Sequence, residues 1–260
     1  MARANRHYIP GCIWHITHRC HKKEFLLKFH RDKRKWLSLL YEAKKRFTLK
    51  VLNYSITSNH IHLLVYDNGK SRDTIPNSIQ LMAGRTGQDF NLRKKRKGAF
   101  WEDRYHATAI DKNEYLAKCM LYIDMNMVRA GVVDHPSEWP FCGFCEIQSP
   151  KERYRFIDRY YVCDLMGFDT YENFKKQYLV WIKESVESKV NTRNQQWTKS
   201  IAVGDRGFIE DVKHKLGVKG IGRKIREDDG TFELKEEAAP YGTDFYNEIE
   251  TLSPKNTYYW

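Results

Sequence analysis

The chain has 260 residues, 41% of them hydrophobic and 14% aromatic, which is enough to pack a core and excludes wholesale disorder. Its formal charge of +12 points to a polyanionic partner, of which nucleic acid is the commonest. No run approaches about 20 apolar residues and the N-terminus carries no apolar signal core, so the expectation is a cytoplasmic protein without a membrane span.

The six cysteines, Cys12, Cys20, Cys119, Cys142, Cys145 and Cys163, form no regular disulfide framework. Cys142 and Cys145 make a lone Cys-x-x-Cys without a second pair at zinc-ribbon spacing, and are read as structural.

In chain order, residues 12 to 18 read as a strand opened by Pro10-Gly11. Ile13, His15 and Thr17 fall on one face and Trp14, Ile16 and His18 on the other. His15 and His18 therefore cannot converge on one ion, and they read as polar edge residues. From His30 to Phe47, Trp36, Leu40, Ala43 and Phe47 recur at helical spacing beneath a basic outer face. Leu49 to Ile56 is a second strand, and Thr57-Ser58-Asn59 turns it back into a third, beginning at His60.

That third strand is the most informative stretch. Side chains alternate along a strand, so His60, His62 and Leu64 share one face while Ile61, Leu63 and Val65 share the other. Two imidazoles about 6.6 to 6.8 Å apart along the strand can close on one divalent ion with bonds of roughly 2 Å.

A helical stretch from Ile75 to about Leu92, interrupted by Gly84 and Gly87, then runs into five basic residues, Arg93, Lys94, Lys95, Arg96 and Lys97. Phe100, Trp101, Tyr105 and His106 follow, with Phe100 to Ile110 read as a fourth strand. Positive charge interleaved with ring faces suits single-stranded nucleic acid, whose bases stack on aromatics. Asp111 and Glu114 have the spacing of a capping box, starting a helix that runs to Ala130-Gly131. On it Tyr115, Cys119, Tyr122 and Asn126 form one stripe and Leu116, Met120, Ile123 and Met127 another.

Taken together, Arg6-His-Tyr-Ile-Pro-Gly11, Trp14-His-Ile-Thr17, Asn59-His-Ile-His-Leu-Leu-Val65, Gly98-Ala-Phe-Trp-Glu-Asp-Arg104 and Tyr122-Ile-Asp-Met-Asn-Met-Val-Arg-Ala-Gly131 resemble, in order, the REP-associated tyrosine transposases and other single-tyrosine HUH transposases. The resemblance covers roughly residues 5 to 145. It implies an α+β fold with a ferredoxin-like β-α-β-β-α-β core and an antiparallel sheet, followed by a catalytic helix. It also implies a metal on His60 and His62, and a tyrosine, Tyr122, that cleaves single-stranded DNA.

With those assignments the residues support a mechanism. Tyr122 attacks the phosphorus and forms a 5′-phosphotyrosine with a free 3′-hydroxyl. Asn126, one turn on, supplies a third, oxygen ligand, and imidazole plus carbonyl ligation fits Mg²⁺ or Mn²⁺. Arg93, Lys94, Lys95, Arg96, Lys97, Trp101, Arg104 and Tyr105 are the candidate DNA contacts. Met127 stands where family members commonly carry proline, and Asp124 where histidine or tyrosine is frequent.

The resulting reading is a transposase domain over residues 1–149 and an accessory region over 150–260, small, mostly helical and able to contact DNA. The latter includes an amphipathic helix through Phe174, Tyr178, Trp181 and Ile182, a basic cluster from Lys213 to Lys224 and an acidic stretch from Asp228 to Glu250. Gly217 to Gly222 lacks the residues of a phosphate-binding loop. The expected activity is metal-assisted cleavage and rejoining of single-stranded or hairpin DNA, by a monomer or homodimer. The alternative is a catalytically silent regulator that binds repeat hairpins. A hydrolase using water ranks third, because Asp67 is too far along the chain to join the histidine pair.

Overall fold

The structure, a computed structural model, describes residues 8–150, 152–188, 194–228 and 230–235. Arg6 and His7 of the first motif, and most of the acidic stretch that ends at Glu250, lie outside the described residues.

The core is the expected α+β arrangement. Strand β1 (Ile13–Arg19), helix α1 (His30–Phe47), β2 (Lys50–Ile56), β3 (His60–Tyr66), α2 (Thr74–Arg93) and β4 (His106–Ile110) follow in sequence. The strands lie in the order β2-β3-β1-β4, each antiparallel to its neighbour. This is the ferredoxin-like topology. Helix α1 forms because Trp36, Leu39, Leu40 and Ala43 make one apolar stripe, which is buried. Helix α2 packs on α1 and runs unbroken through Gly84 and Gly87, unlike the interrupted helix expected from sequence. Gly87 is there for close approach, since a Cβ at this position would sit 3.2 Å from Phe100 Cβ.

Two boundaries differ from the sequence reading. Between α2 and β4, Trp101 makes only an isolated bridge to Cys20, so the fourth strand starts at His106, not Phe100. The helix after it divides into α3 (Glu114–Asp124) and a single turn, α4 (Asn126–Arg129). Asp111 does not close a capping box. Its carboxylate accepts the backbone N–H groups of Lys112 (2.8 Å) and Asp205 (3.2 Å).

Residues beyond 150 extend the same sheet. After the short α5 (Phe144–Gln148) come α6 (Arg159–Met166), α7 (Tyr171–Glu187) and a four-residue turn, α8 (Gln196–Lys199). Strand β5 (Ser200–Gly204) then pairs parallel with β4. Helix α9 (Arg206–Leu216) leads to β6 (Ile225–Asp228) and β7 (Thr231–Lys235), which complete the order β4-β5-β7-β6. Helix α7 is the amphipathic helix expected through Phe174, Tyr178, Trp181 and Ile182, while the three strands are additional to the mostly helical region expected from sequence. All six cysteines are free. Among the described residues no helix is long and apolar enough to cross a membrane.

One buried carboxylate ties the chain on either side of residue 150 together. Glu146 Oε1 accepts the backbone N–H groups of Phe156 (2.7 Å) and Ile157 (2.8 Å). Glu146→Ala leaves two buried donors without this acceptor and is expected to cost about 2–3 kcal/mol, read as a lowered urea midpoint at unchanged slope. Glu146→Gln retains a carbonyl oxygen and is expected to lose about half as much.

Candidate active site

Strand alternation brings His60 and His62 to the same face of β3, with ring centroids 4.8 Å apart and ring planes at 81°. Each ring is held through Nδ1. For His60 the partners are Asn59 Oδ1 at 2.7 Å and Thr57 Oγ1 at 2.9 Å. The Asn59 amide nitrogen donates to Lys23 O and the Thr57 hydroxyl to His60 O, so both oxygens facing His60 act as acceptors. Nδ1 of His60 therefore carries the proton, and Nε2 bears the lone pair.

His62 is held by a residue read from sequence as a polar edge position. His15, fully buried on β1, has its Nε2 2.9 Å from His62 Nδ1 and its own Nδ1 2.8 Å from the Trp197 carbonyl. Burial pushes the His15 imidazole down to about 3, so it is neutral. The sequence signal that could have found it is face parity. His15 and Thr17 share a face, Thr17 registers opposite His62, and His15 is the diagonal neighbour of that histidine.

The structure also brings Tyr122 and Asn126 to this pair. Asn126 Nδ2 lies 3.1 Å from His62 Nε2. The Tyr122 ring meets His62 edge-on at 5.8 Å and His15 at 6.1 Å, and it lies 6.3 Å from the Trp197 ring. The Arg129 guanidinium covers Tyr122 from 4.3 Å above the ring centroid and donates to the Tyr122 carbonyl. Tyr122 is buried. Tyr115, two turns earlier, packs in the core with its hydroxyl toward the Gly230 carbonyl. Asp124, at the end of α3, accepts from Tyr178 (2.5 Å) and Asn53 (3.1 Å), and burial raises its carboxyl to about 7.

A cavity of about 840 Å³ opens beside the pair. His60, His62 and His106 line it, and its charged wall is Arg19, Lys23, Arg104, Lys199 and Lys235 against Glu102 and Asp103. Lys199 and Lys235 come from the region beyond 150. Tyr122 is not among the lining residues. As possible metal ligands the site offers two imidazoles and one carboxamide; no group of three or more His, Cys, Asp and Glu suited to an ion occurs among the described residues.

Of the candidate DNA contacts, only Arg104 lines this cavity. The basic run divides by direction. Arg93 pairs with the buried Asp32, and Arg96 is held by Asn91 Oδ1, the Ala99 carbonyl and Glu24. Lys94 lies over the Phe29 ring, while Lys95 and Lys97 are exposed. Trp101 donates to the Ala83 carbonyl and stacks on His18 at 4.1 Å, and Tyr105 is buried. These two rings are committed to packing in this structure.

Residues 8–126 match the family model described as Transposase IS200 like. No curated protein matches the chain. Among solved structures it is similar to a REP-associated tyrosine transposase bound to a REP hairpin. That similarity has 20% identity, covers 58% of this chain and 87% of that one, and has a TM-score of 0.49. A second similarity is to a candidate transposase from Deinococcus radiodurans R1. It has 13% identity, covers 42% of this chain and 87% of that one, and has a TM-score of 0.32.

The division of the basic run has a measurable consequence. Arg93→Ala strands the Asp32 carboxylate in a buried position and is expected to destabilise the fold by about 1–3 kcal/mol. Lys95→Ala and Lys97→Ala are expected to stay within about 0.5 kcal/mol of the parent. Urea unfolding of the three variants side by side reads both effects.

Proposed function

From the IS200-like transposase segment at residues 8–126, we propose that this chain is a transposase or DNA-processing nuclease. It cleaves and rejoins single-stranded or hairpin DNA through a 5′-phosphotyrosine on Tyr122. The observation that carries the reading is that two imidazoles, each held through Nδ1, border a basic cavity, while Tyr122 of the same chain lies 5.8 Å, ring to ring, from His62.

His60, His62 and the side-chain oxygen of Asn126 would hold a divalent ion, Mg²⁺ or Mn²⁺. The donor set fits, because His60 is held as its Nδ1–H tautomer, His62 is engaged by His15 through Nδ1, and turning the Asn126 amide over would present its oxygen in place of nitrogen. When bound, the ion supplies Lewis-acid stabilisation of charge on the nonbridging phosphate oxygens.

The chain's own groups do the rest. Arg19, Arg104 and Lys199 offer cationic partners for flanking phosphates. The Tyr122 hydroxyl oxygen bonds to phosphorus as the bond to the 3′-oxygen breaks, and that oxygen leaves with a proton as a 3′-hydroxyl. Reversal of the step rejoins the strand. Because Tyr122 is buried and covered by Arg129, DNA engagement has to include an adjustment around this ring.

The same burial favours the second reading, a regulator that binds hairpins without cutting. The two separate on a suicide oligonucleotide labelled on the 3′ side of the nick. The expected outcome is covalent label on Tyr122, lost in Tyr122→Phe with DNA binding intact, and lost on chelation. Wild-type protein that binds the oligonucleotide and neither cuts it nor acquires label would establish the regulator, and cutting without label would make water the nucleophile. In filter binding, single-stranded or hairpin DNA is expected to bind more tightly than blunt duplex of equal length, with affinity falling as salt rises.

A further inference from the structure

Trp197 lies seventy-one residues beyond the family match, which ends at residue 126, yet it touches both halves of the candidate site. Its ring lies beside Tyr122 and its carbonyl faces His15. A carbonyl oxygen can only accept, so His15 Nδ1 carries the proton that fills the 2.8 Å contact. His15 is fully buried and has, among the described residues, only this carbonyl and His62 as hydrogen-bond partners, with no carboxylate to balance a second proton, so its other nitrogen accepts and His62 Nδ1, 2.9 Å away, donates to it. That leaves the lone pair on His62 Nε2, where the Asn126 amide nitrogen stands at 3.1 Å as a donor. Three hydrogen bonds thus run one way, from Asn126 through His62 and His15 to the Trp197 carbonyl. The acceptor end lies against β4, where the single Thr108 hydroxyl proton goes to the Ser200 carbonyl (2.7 Å) and the same oxygen stands 3.3 Å from the Trp197 carbonyl.

We propose that His15 and the Trp197 carbonyl are the positioning device of the site, locking His62 as its Nδ1–H tautomer so that Nε2 presents its lone pair for an electrophile. Turn α8 is on this account a working part of the site, contributed by the region beyond residue 150. The purpose of the lock rests on the reading of His62 as a metal ligand, whereas its existence does not. Free histidine in water favours the opposite, Nε2–H tautomer, so the relay acts against the ring's own preference. Outer partners of this kind orient ligating histidines and typically change metal affinity by about 10- to 100-fold when removed.

The test uses the full chain, labelled with nitrogen-15 and kept in chelator, with long-range proton–nitrogen correlation of the imidazoles. Wild-type His62 is expected to be protonated at Nδ1 and bare at Nε2. His15→Leu, which can neither accept nor donate, is expected to move His62 toward Nε2 protonation. His15→Gln, whose amide can accept from His62 and donate to Trp197, is expected to retain the wild-type pattern. Titration with Mn²⁺ alone should show dissociation constants about 10- to 100-fold weaker for His15→Leu and near wild type for His15→Gln. Wild-type His62 protonated at Nε2 overturns the proposal whether or not the leucine variant folds. So does a folded His15→Leu with unchanged tautomer. If the tautomer shifts as expected but wild-type protein takes up no Mn²⁺, the metal reading fails and the positioning device stands.

Discussion

A histidine with no exposure must find a partner for each ring nitrogen within the protein, because an unpaired polar group in the interior costs on the order of 1–3 kcal/mol. His15 meets this requirement by linking two elements that are remote in sequence, β3 through His62 and α8 through the Trp197 carbonyl. The rest of the site depends on this bond. It determines which nitrogen of His62 keeps its lone pair, brings α8 over the sheet beside Tyr122, and joins the residues beyond 150 to the same cavity that the histidine pair borders.

Much of this was legible in the sequence, for identifiable physical reasons. The His-x-His pair could be assigned to one face because strand alternation is strict. Helix α1 could be bounded because its apolar stripe is regular and its length ordinary. Tyr122 and Asn126 fall on one helical stripe, and the slight loosening of the helix at Met125 (φ −74°, ψ 1°) does not separate them, since α4 resumes at once.

What remained illegible depended on long-range contact. His15 was discounted by comparison with His18, its neighbour in sequence, although its real partner is the diagonal residue on the adjacent strand. Nothing about Trp197 as a residue type marks its backbone carbonyl as an acceptor. The division of the basic run was hidden for a related reason. Five successive charges look uniform on paper, but the end of α2 carries Arg93 onto Asp32 while Lys95 and Lys97 remain outside. Trp101 and Tyr105 likewise have ring faces that the sequence offers to bases and the fold gives to its own interior.

The parallel pairing of β4 with β5 sets an order in time. Parallel neighbours need a long crossover, and here Ile110 pairs with Val203 only after the chain between them has been made and packed. Such distant closures come late and slowly in folding. During synthesis the histidine strand and the tyrosine helix are therefore complete well before α8 can dock. Until Trp197 arrives, the nascent chain carries the chemical groups of the site without the partner that orients them.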